Sequence, residues 1–203
     1  MTDDEIKHKW HLLHKNPELR EKEFRPEILA SWERSSQYNV PRYARENVNI
    51  CTASEFKIAL EKSDFLVNNA LPVMEGLLDF VTGTGFGVNL IDSNGVSLIS
   101  IADNDYEQWE KSVKLSRGLI WTENLMGTNA APLSMHLARP VSVYAHEHYC
   151  LYNIVSAESY CPIFDDGHVI GSIGMVGRHE RFNKHTLGMV VAAAKHIESK
   201  MML

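Results

Sequence analysis

His146-Glu147-His148-Tyr149-Cys150 sets two imidazoles and a thiol at alternate positions. In an extended segment His146, His148 and Cys150 would project from one face, and Cys161 on a neighbouring strand would add a fourth soft ligand. Such a set suits zinc or iron, or it could pair a thiol nucleophile with an imidazole base. Structural metal sites usually carry closer ligand pairs, so the plainer alternative is a Glu147–His148 hydrogen-bonded pair fixing a loop, with His146 facing solvent. A catalytic thiol needs an electropositive setting, a residue orienting its base and an oxyanion hole, and nothing here specifies them. The expectation is therefore a chain that is no enzyme and holds no metal or other cofactor. A metal or redox sensor, or an enzyme using His148, Cys150 and Cys161, stands as the alternative.

Gly83-Thr84-Gly85-Phe86-Gly87 looks at first like a phosphate cradle. A cradle must follow a strand and open a helix, so that backbone N–H groups face the anion. Here the helical pattern precedes the glycines and a strand-like run follows, which reads as a helix stop and turn. Trp121, Asn124, Thr128 and Asn129 form a more promising group. Thr128 and Asn129 could cap a helix running towards Ala138, or the group could line a mostly apolar pocket and orient a small ligand. Trp32 reads as core or dimer packing, and His8, His11 and His14 as a solvated helical face.

These residues need elements to hold them. Ile6, Trp10, Leu12 and Leu13 punctuate one charged helical stretch, and Pro26 opens a second through Ile28, Leu29, Trp32 and Ser35. Ser54 is a plausible N-cap for a long helix from Phe56 to Leu78, interrupted or kinked near Pro72. Phe86–Asp92 and Val96–Ala102 flank the tight turn Ser93-Asn94-Gly95. Val155–Phe164 and His168–Val176 flank Asp165-Asp166-Gly167. Between the hairpins lie a helix around Asn124–Ala138 and a short strand at Val141–Tyr144. Leu187, Val190, Val191, Ala194 and Ile197 mark a closing helix. Turns this short exclude a parallel crossover, so the predicted class is α+β with an antiparallel sheet.

The 203 residues are 44% apolar and 23% charged, with a formal net charge of -6. A chain this long can bury a core without disulfides. Its acidity argues against sequence-independent nucleic-acid binding, which needs cations to displace phosphate counterions. Apolar stretches fall short of a membrane span, and the N-terminus is charged from Asp3 onward, so neither a span nor a secretory signal is expected. Three cysteines without a CxxC read as reduced thiols in a cytoplasmic protein.

Several segments, in order, resemble the N-terminal GAF-type sensory domain of sigma-54-dependent transcriptional activators of the acetoin and dihydroxyacetone regulator type. They are Arg25–Ser35, Leu90–Val96, Trp121–Ala131, Arg139-Pro140-Val141, Glu147-His148-Tyr149, Pro162–Asp165 with Gly167 and Val169–Gly171, and Lys184–Leu187. Departures stand at Gly174-Met175-Val176 and Glu158-Ser159-Tyr160-Cys161, so a relative's effector does not carry over. The resemblance implies a GAF-like central antiparallel sheet flanked by helices, with a helical segment over 1–50 and the sensory domain over 51–203. It also implies a small-molecule or partner sensor, a homodimer packed through its long and terminal helices, and relay to an ATPase and DNA-binding region absent from this sequence. Trp121, Asn124, Thr128, His148 and Tyr160 are the expected ligand-binding residues. A register error of one would turn Tyr160 outward.

Overall fold

The computed structural model describes residues 1–102, 106, 108 and 117–203. Three helices open the chain: α1 (Asp3–Lys15), α2 (Pro17–Glu23) and α3 (Pro26–Gln37). Thr2 and Glu5 exchange hydrogen bonds in a capping box at the start of α1. Ile6, Trp10 and Leu13, at four- and three-residue spacing, bury one face of that helix.

The long helix expected after Ser54 is two helices, α4 (Ala53–Lys62) and α5 (Asp64–Val81). Thr52, not Ser54, caps α4, because its hydroxyl and the Glu55 carboxylate satisfy each other's backbone N–H groups. The interruption falls at Ser63, whereas Pro72 is carried inside α5 at an exposed position. The carbonyl that loses its N–H partner there belongs to Asn68, which is also exposed, so water can replace the bond.

The strands are β1 (Phe86–Asp92), β2 (Ser97–Ala102), β3 (Val141–Tyr144), β4 (Ser156–Asp165) and β5 (His168–Arg178). They form one sheet in the order β2-β1-β5-β4-β3, with every neighbouring pair antiparallel. The two hairpins are thus joined edge to edge through β1 and β5. The expected Asn124–Ala138 helix is broken into α6 (Glu123–Met126) and α7 (Ala130–Leu137). Gly127 makes the break at φ 66° and ψ -155°, a region reserved for glycine, and a Cβ there would lie 2.8 Å from Tyr149 Cβ. The chain closes with α8 (His185–Met201).

Each sheet face carries its own core. On one, Val88, Leu90, Leu98, Cys161, Ile163 and Ile173 meet Leu66, Ala70 and Met74 of α5 and Val190, Ala194 and Ile197 of α8. On the other, Tyr160 and Val176 lie under α7, and Val141 and Val143 of β3 join that core. Ile6, Trp10, Leu13, Ile28 and Trp32 belong to the same cluster, so the opening helices complete the second core. Full burial of each such side chain is worth about 1.5–3 kcal/mol. No described helix is long and apolar enough to cross a membrane.

Candidate functional site

Trp121 leads into the segment the sequence singled out. Its N–H donates to Gly95 O at 2.7 Å, which ties it to the β1–β2 turn. Beside this junction opens a cleft of about 520 Å³ lined by Trp121, Thr122 and Asn124, by Pro132, Met135 and His136 of α7, and by Tyr38, Ser93 and Val169. That volume lies within the range of about 300–1,000 Å³ typical of small-molecule sites. Two of the five expected ligand residues, Trp121 and Asn124, therefore meet at one opening. Thr128, His148 and Tyr160 do not, because all three are buried behind the segment.

Each of those three has a packing reason. Thr128 hydroxyl lies 2.8 Å from Ser31 hydroxyl, and Ser31 also donates to the Glu123 carboxylate. Arg34 completes the knot with two bonds to Glu123, 2.6 and 2.9 Å, which hold its guanidinium above the ordinary arginine range. Tyr160 faces the α7 side, as the register requires, but lies flat over its cross-strand partner Gly174. A Cβ on Gly174 would stand 2.3 Å from the Tyr160 ring, so only glycine admits this packing.

His148 belongs to a buried polar relay. Its Nδ1 is 2.9 Å from Ala145 O, an acceptor only, so Nδ1 carries a proton. Nε2 faces Glu158 Oε1 at 3.4 Å without hydrogen-bond alignment. The other Glu158 oxygen accepts from Ala130 N at 3.0 Å. Asn129, the cap position of α7, makes no side-chain cap; its amide donates to Met126 O and Gly127 O, and its oxygen accepts from Asn153. The helix start is thus capped by a carboxylate from β4, where a negative charge also suits the helix dipole.

The alternative reading, a His146–His148–Cys150 ligand face, has no extended segment to carry it. Residues Ala145–Glu147 and Leu151–Val155 are 3-10 turns, which destroys the alternation an extended segment would give. Cys150 lies in the α7-side core and Cys161 in the core across the sheet. Burial pushes their thiols up to about 12 and about 11, away from thiolate reactivity. Glu147 and His148 do not pair with each other either: Glu147 accepts from Tyr144 N at 2.8 Å and faces Arg25. His146 is half-buried against Tyr144 rather than solvent-facing, and burial pulls it down to about 4. Among the described residues the ligand-type cluster is Asp3, His179 and Glu180, whose two carboxylates already share Arg178.

A further set was not legible in the sequence. Three successive carbonyls are held from the opening helices: Glu147 O by Trp32 Nε1 at 2.7 Å, His148 O by Trp10 Nε1 at 3.0 Å, and Tyr149 O by His14 Nε2 at 3.1 Å. His14 and Trp32 are therefore scaffold residues for the His148 loop. The sequence signs of Glu158 were a lone carboxylate in the middle of a strand-like run and its place among the departures from the family pattern.

The MimR N-terminal domain model matches residues 15–199. The chain belongs to that family. It is 29% identical over 184 residues, 90% of its length, to a signal-transduction and transcriptional-control protein of Clostridium beijerinckii. It is 28% identical over 194 residues, 95% of its length, to the acetoin dehydrogenase operon transcriptional activator AcoR of Bacillus subtilis strain 168. The matched regions make up 29% and 32% of those two proteins, so this MimR-type chain spans about a third of their length. The E. coli DhaR(N) structure, solved in complex with DhaL, superposes with a TM-score of 0.83 at 18% identity, covering 88% of this chain and 60% of that one. The α+β fold with its antiparallel sheet matches that structure, and the similarity to transcriptional activators spans nearly the whole chain.

Proposed function

We propose that this chain is the input domain of a bacterial transcriptional activator. An effector enters the cleft at Trp121 and Asn124, and its occupancy is relayed to a downstream ATPase and DNA-binding region. One observation carries this reading. The Trp121–Leu137 segment that walls the cleft is tied to α3 through Glu123 and to the sheet through Glu158, so a shift there strains both. Any bias on output is bounded by the effector's differential affinity for the two states.

The chain performs no chemistry in this reading, binds no nucleic acid by itself and works in the cytoplasm. Residues 1–50 act as a brace and 51–203 as the sensory unit, with α8 leading onward. A homodimer forms through α5 and α8, which pack together; Phe65 and Phe80 are exposed on α5. Analytical ultracentrifugation of Phe80→Glu is expected to give monomer where the parent gives dimer.

A thermal-shift screen of small diols, ketones, organic acids and aromatics tests the effector. A ligand at 100 times its Kd adds about 2.7 kcal/mol of stability. That gain is expected in the parent and lost in Trp121→Ala and Asn124→Ala. A ligand whose shift survives both substitutions binds outside this cleft, and a screen in which neither substitution removes any shift places sensing elsewhere. The complex of DhaR(N) with DhaL favours a second reading, in which the input is a protein docked on this surface. Capture of such a partner, with no small-molecule shift, would select it.

A further inference from the structure

A second concavity lies on the opening helices, sharing no lining residue with the Trp121 cleft, and its chemistry is different. It measures about 440 Å³ and is walled by His14, Arg20, Trp32, Arg42 and Tyr149, with Glu33 among the α3 residues beside them. We propose that it binds a small organic anion, a carboxylate carried on a flat apolar body, through Arg20 and Arg42 over the Trp32–His14 ring pair. This site does not depend on the sensor reading.

The charge argument comes first. Arg20 and Arg42 converge on one residue from two sides. Arg20 Nη1 donates to Leu13 O at 2.9 Å and His14 O at 3.3 Å, and Arg42 Nη1 lies 3.5 Å from His14 Nδ1. Among the described residues neither guanidinium has a carboxylate within ion-pair distance, although the chain carries a net charge of -6. Arg25, Arg34 and Arg178 all have such partners. Two unneutralised guanidiniums keep donors free in a fork that suits a planar carboxylate.

His14 does not compete for the anion's role or add a third charge. Its Nε2–H donates to Tyr149 O, leaving the Nδ1 lone pair towards Arg42. Burial pulls its pKa down to about 4, opposed by that bond and helped by the charges of Arg42 and Arg20. The ring is therefore neutral and fixed. It stacks 4.2 Å from Trp32 at an interplanar angle of 31°, with Tyr149 edge-on to both and Arg20 5.9 Å from the Trp32 ring centre. Aromatic walls of this kind favour a flat partner over a tetrahedral one. The site is also mechanically placed, because Tyr149 adjoins the His148–Glu158 pair.

The test titrates the 203-residue chain with benzoate at constant ionic strength, read by calorimetry and by the Trp32 indole N–H resonance. Acetate, inorganic phosphate and a glutamate-rich peptide serve as comparators. Saturable one-to-one binding of benzoate is expected, with acetate and phosphate about tenfold weaker or more. Arg20→Gln and Arg42→Gln should each cost about tenfold, one charge-assisted hydrogen bond each. Glu33→Gln should tighten binding, and Asn124→Ala should leave it unchanged. The proposal fails if benzoate does not bind, or if phosphate binds equally well. It fails as well if only the acidic peptide binds, or if a folded Arg20→Gln/Arg42→Gln chain with parental melting temperature binds benzoate normally.

Discussion

Glu158 accepts the first N–H of α7, a buried group, at 3.0 Å and lies 3.4 Å from His148 Nε2, while the His148 ring is fixed separately through Nδ1 to Ala145 O. Truncation in Glu158→Ala strands the Ala130 N–H, at about 1–3 kcal/mol. Melting should fall by about 2–4 °C for each kcal/mol in a chain of this size. Glu158→Gln keeps an acceptor for Ala130 and should lose less; equal losses in the two variants would show that the cap contributes nothing. The thiols offer a chemical check on burial. Cys51 is half-buried while Cys150 and Cys161 are buried. A chromogenic disulfide reagent at pH 8 should modify one thiol in the native chain and all three after denaturation. His14 sets a pH dependence whose sign follows from its depressed pKa. The unfolded ring, near 6.5, binds a proton that the folded ring refuses until about 4. Stability from this group is full above pH 6.5 and lost as pH falls towards 4. Asp3 and Glu180 carry pKa values lowered by their His179 and Arg178 hydrogen bonds, so their losses follow at lower pH. Chemical denaturation from pH 7.5 to 4 should show this early slope, reduced in His14→Gln.

At the scale of elements, the α6–α7 junction is the most constrained place in the chain. Gly127→Ala must adopt a backbone conformation that costs about 1–3 kcal/mol and also displace Tyr149. Gly76, by contrast, sits on the exposed face of α5 with nothing within 4 Å of an added Cβ. Gly76→Ala should stabilise by about 0.4–1 kcal/mol through the unfolded chain. Paired urea melts of the two variants decide the point: opposite signs are expected, and matching signs would undo the account of the junction. The hairpins were readable because each turn carries its own residues, Asn94-Gly95 and Asp166-Gly167, between alternating runs. The split of the Asn124–Ala138 helix was not, because Gly127 inside a helical pattern looks like a tolerated defect until Tyr149 is seen against it.

At the scale of the molecule, the opening helices are structural partners of the sheet domain. Trp10, Trp32 and His14 hold three consecutive carbonyls of the His148 loop, and α1 and α3 close the core around Tyr149 and Ile154. Removing residues 1–50 should therefore abolish cooperative melting of the remainder, followed by calorimetry. A truncated chain that melts sharply near the parental temperature would mark the helices as an independent appendage. The same coupling gives a route for signals: the Trp121 cleft reaches α3 through Glu123, and α3 reaches the His148 loop through Trp32.

Local chemistry needs no partner to be legible, and that is why the helix-opening Pro26, the turn glycines and the apolar spacing announced most helices, both hairpins and the α+β class from sequence alone. The cap expected at Ser54 falls at Thr52 instead, and the Asn129 side chain makes no cap. The ordered segments from Arg25 to Leu187 likewise carried the family. Side-chain destinations were a different matter. Whether a Thr, His or Tyr lines a cleft or fills a core depends on which face meets which neighbour, and local spacing does not name that neighbour: Trp10 lies 138 residues from His148. Only the folded chain could bring Ser31 to Thr128, lay Tyr160 on Gly174 and leave Trp121 and Asn124 at an opening, since burial is a property of the assembly and not of any residue within it.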